Sequence, residues 1–184
     1  MYQILKKQTL NANTKLMVID APHVARKAEP GQFIILRVDA DGERIPLTIA
    51  DFDREKGAVT IIFQEVGATT MALGALSEGD CLHDFVGPLG KASEFDGMHK
   101  VAVVGGGLGC AIAYPQAKKL HELGCQVDLI AGFRSKDIVI LEDEMKAAST
   151  NLYIMTDDGS NGNKGFVTDK LKELIEAGNQ YDAV

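Results

Sequence analysis

Val101-Ala102-Val103-Val104 is a continuous apolar run, and Gly105-Gly106-Gly107-Leu108-Gly109 follows it at once, ahead of a helical stretch from about Tyr114 to Leu123. A strand that is apolar on both faces belongs inside a parallel sheet with helices over it, so this segment predicts a strand-turn-helix unit. The same texture continues downstream. Gln126 to Ala131 reads as the next buried strand, Ile138 to Ala148 as a helix, Leu152 to Met155 as a strand and Val167 to Ala177 as a helix. Tyr181 to Val184 reads as the opening of a fourth parallel strand. Right-handed crossovers then give an α/β domain, and a sheet that stops inside a strand is expected to be incomplete, the chain being a fragment of a longer protein.

The first half has a different grain. Short β-type runs cover Tyr2 to Leu10, Lys15 to Ala21, Phe33 to Val38, Arg44 to Ala50, Val59 to Glu65 and Cys81 to Val86. Pro30-Gly31, Asp41-Gly42 and Lys56-Gly57 are turn signals between them, which predicts an antiparallel barrel with one helix, Thr69 to Leu76, interrupting it. The two textures meet between Phe95 and Lys100, so the expected domains are 1–97 and 98–184. A chain of 184 residues with 46% hydrophobic content can fill two small cores of this kind.

Charge and composition exclude several functions. Nineteen Lys and Arg against 26 Asp and Glu leave a net charge of −7 at pH 7, with no basic stripe to follow a phosphate backbone. Nucleic acid is therefore not an expected partner. Met1 to Leu10 holds lysines within an alternating pattern and no apolar run long enough for a signal peptide or a membrane span, so a cytoplasmic location and no membrane association are expected. Cys81, Cys110 and Cys125 are odd in number and widely spaced, and His23, His83, His99 and His121 show no ligand spacing, so no metal site is expected among them.

Three motifs carry chemistry. Gly105 to Gly109 lets the backbone approach a pyrophosphate while the following helix offers free N–H groups. It departs from G-x-G-x-x-G, because Cys110 stands at the third glycine position and Ala131-Gly132 replaces an acidic residue after the second strand. A tight strand-to-helix turn without a ligand is the plainer alternative. Arg44-Ile45-Pro46-Leu47-Thr48 sets an arginine and a hydroxyl four residues apart on one strand face, apt for an anionic ligand with a hydrogen-bonding ring, although strand arginines are often simply solvated. Val66-Gly67-Ala68-Thr69-Thr70 opens the one helix of this half as an anion-binding end or an ordinary cap.

Together the three motifs resemble the ferredoxin-NADP reductase superfamily, and within it the electron-transfer subunits of the dihydroorotate dehydrogenase and NADH-dependent reduced ferredoxin:NADP oxidoreductase (sulfide dehydrogenase beta subunit) types. The resemblance covers nearly the whole chain and extends to Gly87-Pro88-Leu89-Gly90, Tyr114-Pro115, Gly132-Phe133-Arg134-Ser135, Thr156-Asp157-Asp158-Gly159-Ser160 and Lys164-Gly165-Phe166-Val167-Thr168. It implies a ferredoxin reductase-like, FAD-binding antiparallel β-barrel followed by an α/β parallel-sheet NAD(P)-binding domain. Arg44 would face the FAD pyrophosphate and Thr48, with Pro46 and Leu47 beside it, the isoalloxazine ring near N5, making Thr48 the catalytic candidate. Val66, Gly67, Thr69 and Thr70 would meet the FAD phosphates. Gly105, Gly106, Gly107, Leu108 and Gly109 would line the site of NAD(H) or NADP(H), with Arg134 near the adenosine half and Asp157, Asp158 and Gly159 near a ribose. A larger flavin and iron-sulfur partner subunit is implied, with ferredoxin as a further partner. Ile112 departs from the pattern, standing where a proline is expected, and no cysteine cluster for a [2Fe-2S] centre occurs in this chain, so that centre is expected only in a longer protein.

Overall fold

Alternating apolar and polar residues put one face of each early strand in a core and the other outside, and the Gly and Asp residues between them turn the chain back on itself. In the computed structural model, which describes residues 1–184, the unit Met1–Ser93 is a seven-stranded antiparallel sheet. Its strands are β1 (Tyr2–Asn11), β2 (Thr14–Asp20), β3 (Phe33–Arg37), β4 (Ile45–Asp53), β5 (Ala58–Gln64), β6 (Cys81–Leu82) and β7 (Asp84–Leu89). Their order across the sheet is β6-β1-β2-β5-β4-β3-β7.

The two edges of this sheet belong to one stretch of chain. β6 pairs with β1 through Tyr2↔Leu82 and Gln3↔Cys81, β7 pairs with β3, and His83 alone separates them. The His83 N–H donates to the carbonyl of Arg37 at 3.1 Å, so the segment crosses from one edge to the other and the sheet curls into a barrel. The expected single run Cys81 to Val86 is therefore two strands. Leu82 and Phe85 both enter the core although they stand three apart, a spacing that one flat strand does not allow.

The core is built from Ile4, Met17, Ile19, Ile34, Leu36, Ile49, Ile61, Phe63 and Phe85. Leu73 of α2 (Ala68–Ala75) joins it, which fixes that helix over the barrel. At its other end α2 is clamped from β1, where Lys7 Nζ donates to the carbonyls of Gly74 and Leu76, the latter at 2.7 Å. The short helix α1 (Pro22–Ala25) was not foreseen; four residues carry no periodicity, and it forms because Pro22 starts it and Val24 and Ala25 are buried.

The unit Glu94–Val184 contains β8 (Lys100–Gly106), α3 (Cys110–Glu122), β9 (Gln126–Phe133), α4 (Glu142–Ala147), β10 (Asn151–Thr156) and α5 (Val167–Glu176). Its three strands are parallel in the order β10-β9-β8. Helix α3 starts at Cys110, earlier than the expected Tyr114, because Cys110, Ala111 and Ala113 already lie on its buried face. The expected helix Ile138 to Ala148 shrinks to α4, since Ile140 and Leu141 are both buried and Leu141 takes a left-handed φ of 57°.

The last residues lie alongside β8. Ala183 bridges Val101 in parallel, its carbonyl accepting from the Ala102 N–H at 3.1 Å, and the Asp182 carboxylate accepts from the N–H groups of His99 and Lys100 at 2.7 and 2.8 Å. Buried Asp128 accepts from Asn151 Nδ2 and the Tyr181 hydroxyl, both at 2.7 Å. Burial, and then this carboxylate, push the Tyr181 pKa up and keep it a proton donor. No helix is long and apolar enough to cross a membrane.

Candidate functional site

On β4, Ile45 and Leu47 pack on the barrel core and Ile49 is within it, so Pro46 and Thr48 point outward. On β3 the buried residues are Ile34 and Leu36, leaving Phe33, Ile35 and Arg37 on the outer face. Strand register lines these up. Phe33 lies between Thr48 and Leu89, Ile35 between Pro46 and Val86, and Arg37 beside Asp84. The outer surface of β4, β3 and β7 is thus two apolar rows, one ending in a hydroxyl, with a charged group at the far end. Val86 is 53% exposed. A contiguous apolar surface outside a barrel, rimmed by polar groups, is the signature of a ligand face rather than of a core. Gly90, at φ 79°, leaves room for Phe33, whose ring carbon lies 3.0 Å from where a Cβ would stand.

Arg44 precedes β4 instead of lying on it, yet it keeps the parity of Pro46 and Thr48. Its Nη2 donates to Asp84 Oδ2 at 3.2 Å, and Arg37 Nε donates to the same oxygen at 2.8 Å. At the start of α2, Thr70 Oγ1 accepts from the N–H groups of Val66 and Gly67 at 3.0 and 3.1 Å and donates to the Gly67 carbonyl at 3.0 Å. The Thr70 hydroxyl therefore ties down the helix start. What this end offers an anion is the first-turn amides, Ala68 to Thr70, which have no carbonyl partner within the helix. Thr69 Oγ1 donates to Glu43 Oε2 at 3.0 Å. Phe33, Ile35, Val86, Glu43 and Asp84 escaped the sequence reading, although the alternation of Phe33, Ile35 and Arg37 with two core residues was available as a signal.

In the second unit the carboxyl ends of the strands share one edge, with Gly106↔Gly132 and Gly132↔Met155 in register. Open parallel sheets bind ligands at that edge. The glycines after β8 divide into two kinds. A Cβ on Gly105 would come within 3.0 Å of Ala113 Cβ and 3.1 Å of Cys110 Cα, so this residue lets α3 close on β8. At Gly106, Gly107 and Gly109 nothing lies within 4 Å of such a Cβ, which leaves their backbone open to a bound group. Leu108 is half-buried between them. Burial pushes the Cys110 thiol up to about 12, so it stays neutral.

Beside this edge, the Asp158 N–H donates to the Arg134 carbonyl at 3.2 Å and the Asp157 N–H to the Phe133 carbonyl at 3.0 Å. The loop after β10 is thus laced to the loop after β9, and Arg134 comes together with Asp157, Asp158 and Gly159. Ser160 hydrogen bonds hold the Asp158 carboxyl below its ordinary 3.8. A groove of about 550 Å³ beside β10, lined in part by Lys136, Lys146, Asn161 and Asn163, was not foreseen.

The profile of the oxidoreductase FAD-binding domain matches residues 1–93, the barrel unit. The chain belongs to the oxidoreductase FAD-binding domain family. A Clostridium beijerinckii protein named for the adh 3' region is 52% identical over 99% of this chain and 64% of its own length. The "Dihydroorotate dehydrogenase B (NAD(+)), electron transfer subunit homolog" of Thermotoga maritima is 43% identical over 94% of this chain and 61% of its own. Among solved structures, one described as NADH-dependent reduced ferredoxin-NADP oxidoreductase superposes with a TM-score of 0.90 at 39% identity, over 95% of this chain and 63% of that one. The resemblance to electron-transfer subunits and the barrel-plus-parallel-sheet fold class are borne out. The chain spans 61–64% of the length of these relatives. As a member of the oxidoreductase FAD-binding domain family it is expected to take FAD, and the barrel fits that group: flat apolar rows suit a planar ring, while Arg44 and the first turn of α2 suit a diphosphate.

Proposed function

We propose that this chain is the flavin and nicotinamide part of an electron-transfer oxidoreductase subunit. The observation that carries the reading is the outward apolar face of β4, β3 and β7, with Thr48 at one end and Arg44 at the other, in a unit of the FAD-binding family. When bound, FAD would supply the hydride and single-electron transfer chemistry. The chain's own residues bind and orient. Phe33, Ile35, Pro46 and Val86 would give the ring an apolar bed and exclude water from it, and the Thr48 hydroxyl would offer it a hydrogen bond. Leu47 faces the core, so its part is to hold the strand. Arg44, with the first-turn amides Ala68 to Thr70, would serve the diphosphate end, while Val66 and Gly67 set the helix start through Thr70.

In the second unit, the open backbone at Gly106, Gly107 and Gly109 supports a dinucleotide pyrophosphate site, with Arg134 toward the adenosine and Asp157 to Gly159 toward a ribose. The relatives' names favour NAD(H). Arg134 and Lys136 are the groups that would admit the 2′-phosphate of NADP(H). A [2Fe-2S] centre outside this chain, a larger partner subunit and a cytoplasmic location complete the proposal, with the dihydroorotate dehydrogenase electron-transfer role as its nearest variant. A free-standing flavin reductase is the second reading, and it needs no partner. The deciding experiment is reconstitution of the chain with FAD, followed by NADH and NADPH in turn under anaerobic conditions. Stoichiometric flavin bleached by NADH supports the proposal, and failure to retain any flavin overturns it.

A further inference from the structure

Arg44, one residue before β4, and Thr69, in the first turn of α2, each already face a carboxylate of this chain. Asp84 Oδ2 accepts from both Arg37 and Arg44, but unequally. Arg37 is close at 2.8 Å, its side chain is 18% exposed, and its Nη1 also donates to the Ala40 carbonyl at 2.8 Å. Arg44 is held by one contact of 3.2 Å and is 60% exposed. Arg37 therefore pins Asp84, while Arg44 is free to swing. Glu43 Oε2 lies 3.0 Å from Thr69 Oγ1 at the first turn of α2, where the helix dipole and unpaired amides favour negative charge. A diphosphate and these carboxylates draw on the same donors, and like charges a few ångströms apart repel.

Resting on the FAD reading above, we propose that Glu43 and Asp84 compete with the diphosphate of the flavin nucleotide for Thr69 and Arg44 and so set its affinity. Arg44 and Thr69 engage the diphosphate only on leaving these carboxylates. Glu43, exposed on the connection before β4, swings aside; Asp84, pinned by Arg37, stays and offsets part of the positive charge at the rim.

The test is titration of FAD into the flavin-free chain, followed by flavin fluorescence, for the wild type, Glu43→Gln, Asp84→Asn and Arg44→Ala. Riboflavin, which lacks the diphosphate, is the control ligand. Glu43→Gln is expected to tighten FAD about two- to fivefold, the scale of an exposed charge interaction. The gain should shrink as salt is raised and be absent for riboflavin. Asp84→Asn is expected to act in the same direction, and if it does not fold, Glu43→Gln decides alone. FAD binding unchanged or weakened in Glu43→Gln, or riboflavin tightened equally, overturns the proposal. Arg44→Ala separates the two levels: unchanged FAD affinity there overturns the reading of the rim, whereas lost affinity beside an unresponsive Glu43→Gln overturns only the competition.

Discussion

Arg44 stands one residue before β4, and its contact with Asp84, the register partner of outward-facing Arg37, puts it on the same side as Pro46 and Thr48. Its replacement by Ala removes a charge-assisted contact worth about 1.5–3 kcal/mol, roughly tenfold or more in FAD affinity. An Arg44→Ala protein that binds FAD as tightly as wild type would contradict its assignment to the diphosphate. The thiols divide as sharply. Cys81 is exposed, Cys125 is buried, and Cys110 is buried with its pKa pushed up to about 12. Only a thiolate alkylates readily, so iodoacetamide at neutral pH should label Cys81 and spare the other two in the folded chain. Mass spectrometry reads this directly, and modification of Cys110 before unfolding would refute the buried placement.

Among the elements, the glycine turn between β8 and α3 yields the sharpest contrast. Gly109 has ordinary helical angles, φ −58° and ψ −20°, and open space where a side chain would stand. Gly109→Val should therefore fold normally and abolish nicotinamide dinucleotide binding while FAD remains on the barrel. Gly105→Val should instead unfold or loosen the second unit, since its Cβ alone meets Ala113 and Cys110 at 3.0–3.2 Å. Circular dichroism paired with separate FAD and NADH titrations distinguishes the two, and joint loss of both ligands in folded Gly109→Val would count against two separate sites. Much of this turn was legible beforehand, because an apolar run, a glycine cluster and a helix are local patterns. Which glycine packs and which stays open was not, for that depends on how closely α3 approaches the sheet.

Across the whole chain, the residues after α5 are fastened to the start of β8 by the Asp182 carboxylate. Backbone N–H donors from Lys100 and His99 hold that carboxyl below its ordinary 3.8. A depressed pKa means that the stabilisation is complete above the unfolded value, near pH 4, and is lost as pH falls through the folded one. Asp182→Ala should accordingly lower the urea midpoint at pH 7, with the difference from wild type fading toward strongly acid pH. A difference of equal size at both ends of that range would mean that the carboxylate is not what fastens the segment.

Periodicity and turn chemistry were sufficient to read a β-rich half followed by an α/β half, since each signal spans only a few residues. The split of 81–89 into the two edges of one barrel was decided by pairing with β1 and β3, residues far away in sequence. The apolar face likewise exists only through register, where a slip of one residue would turn Phe33, Ile35 and Pro46 inward and Ile34 and Leu36 out. Glu43 meets Thr69 across 26 positions and Arg44 meets Asp84 across 40. No local pattern encodes such partners. They are set by which strands lie side by side, and that follows from closing the barrel around its core.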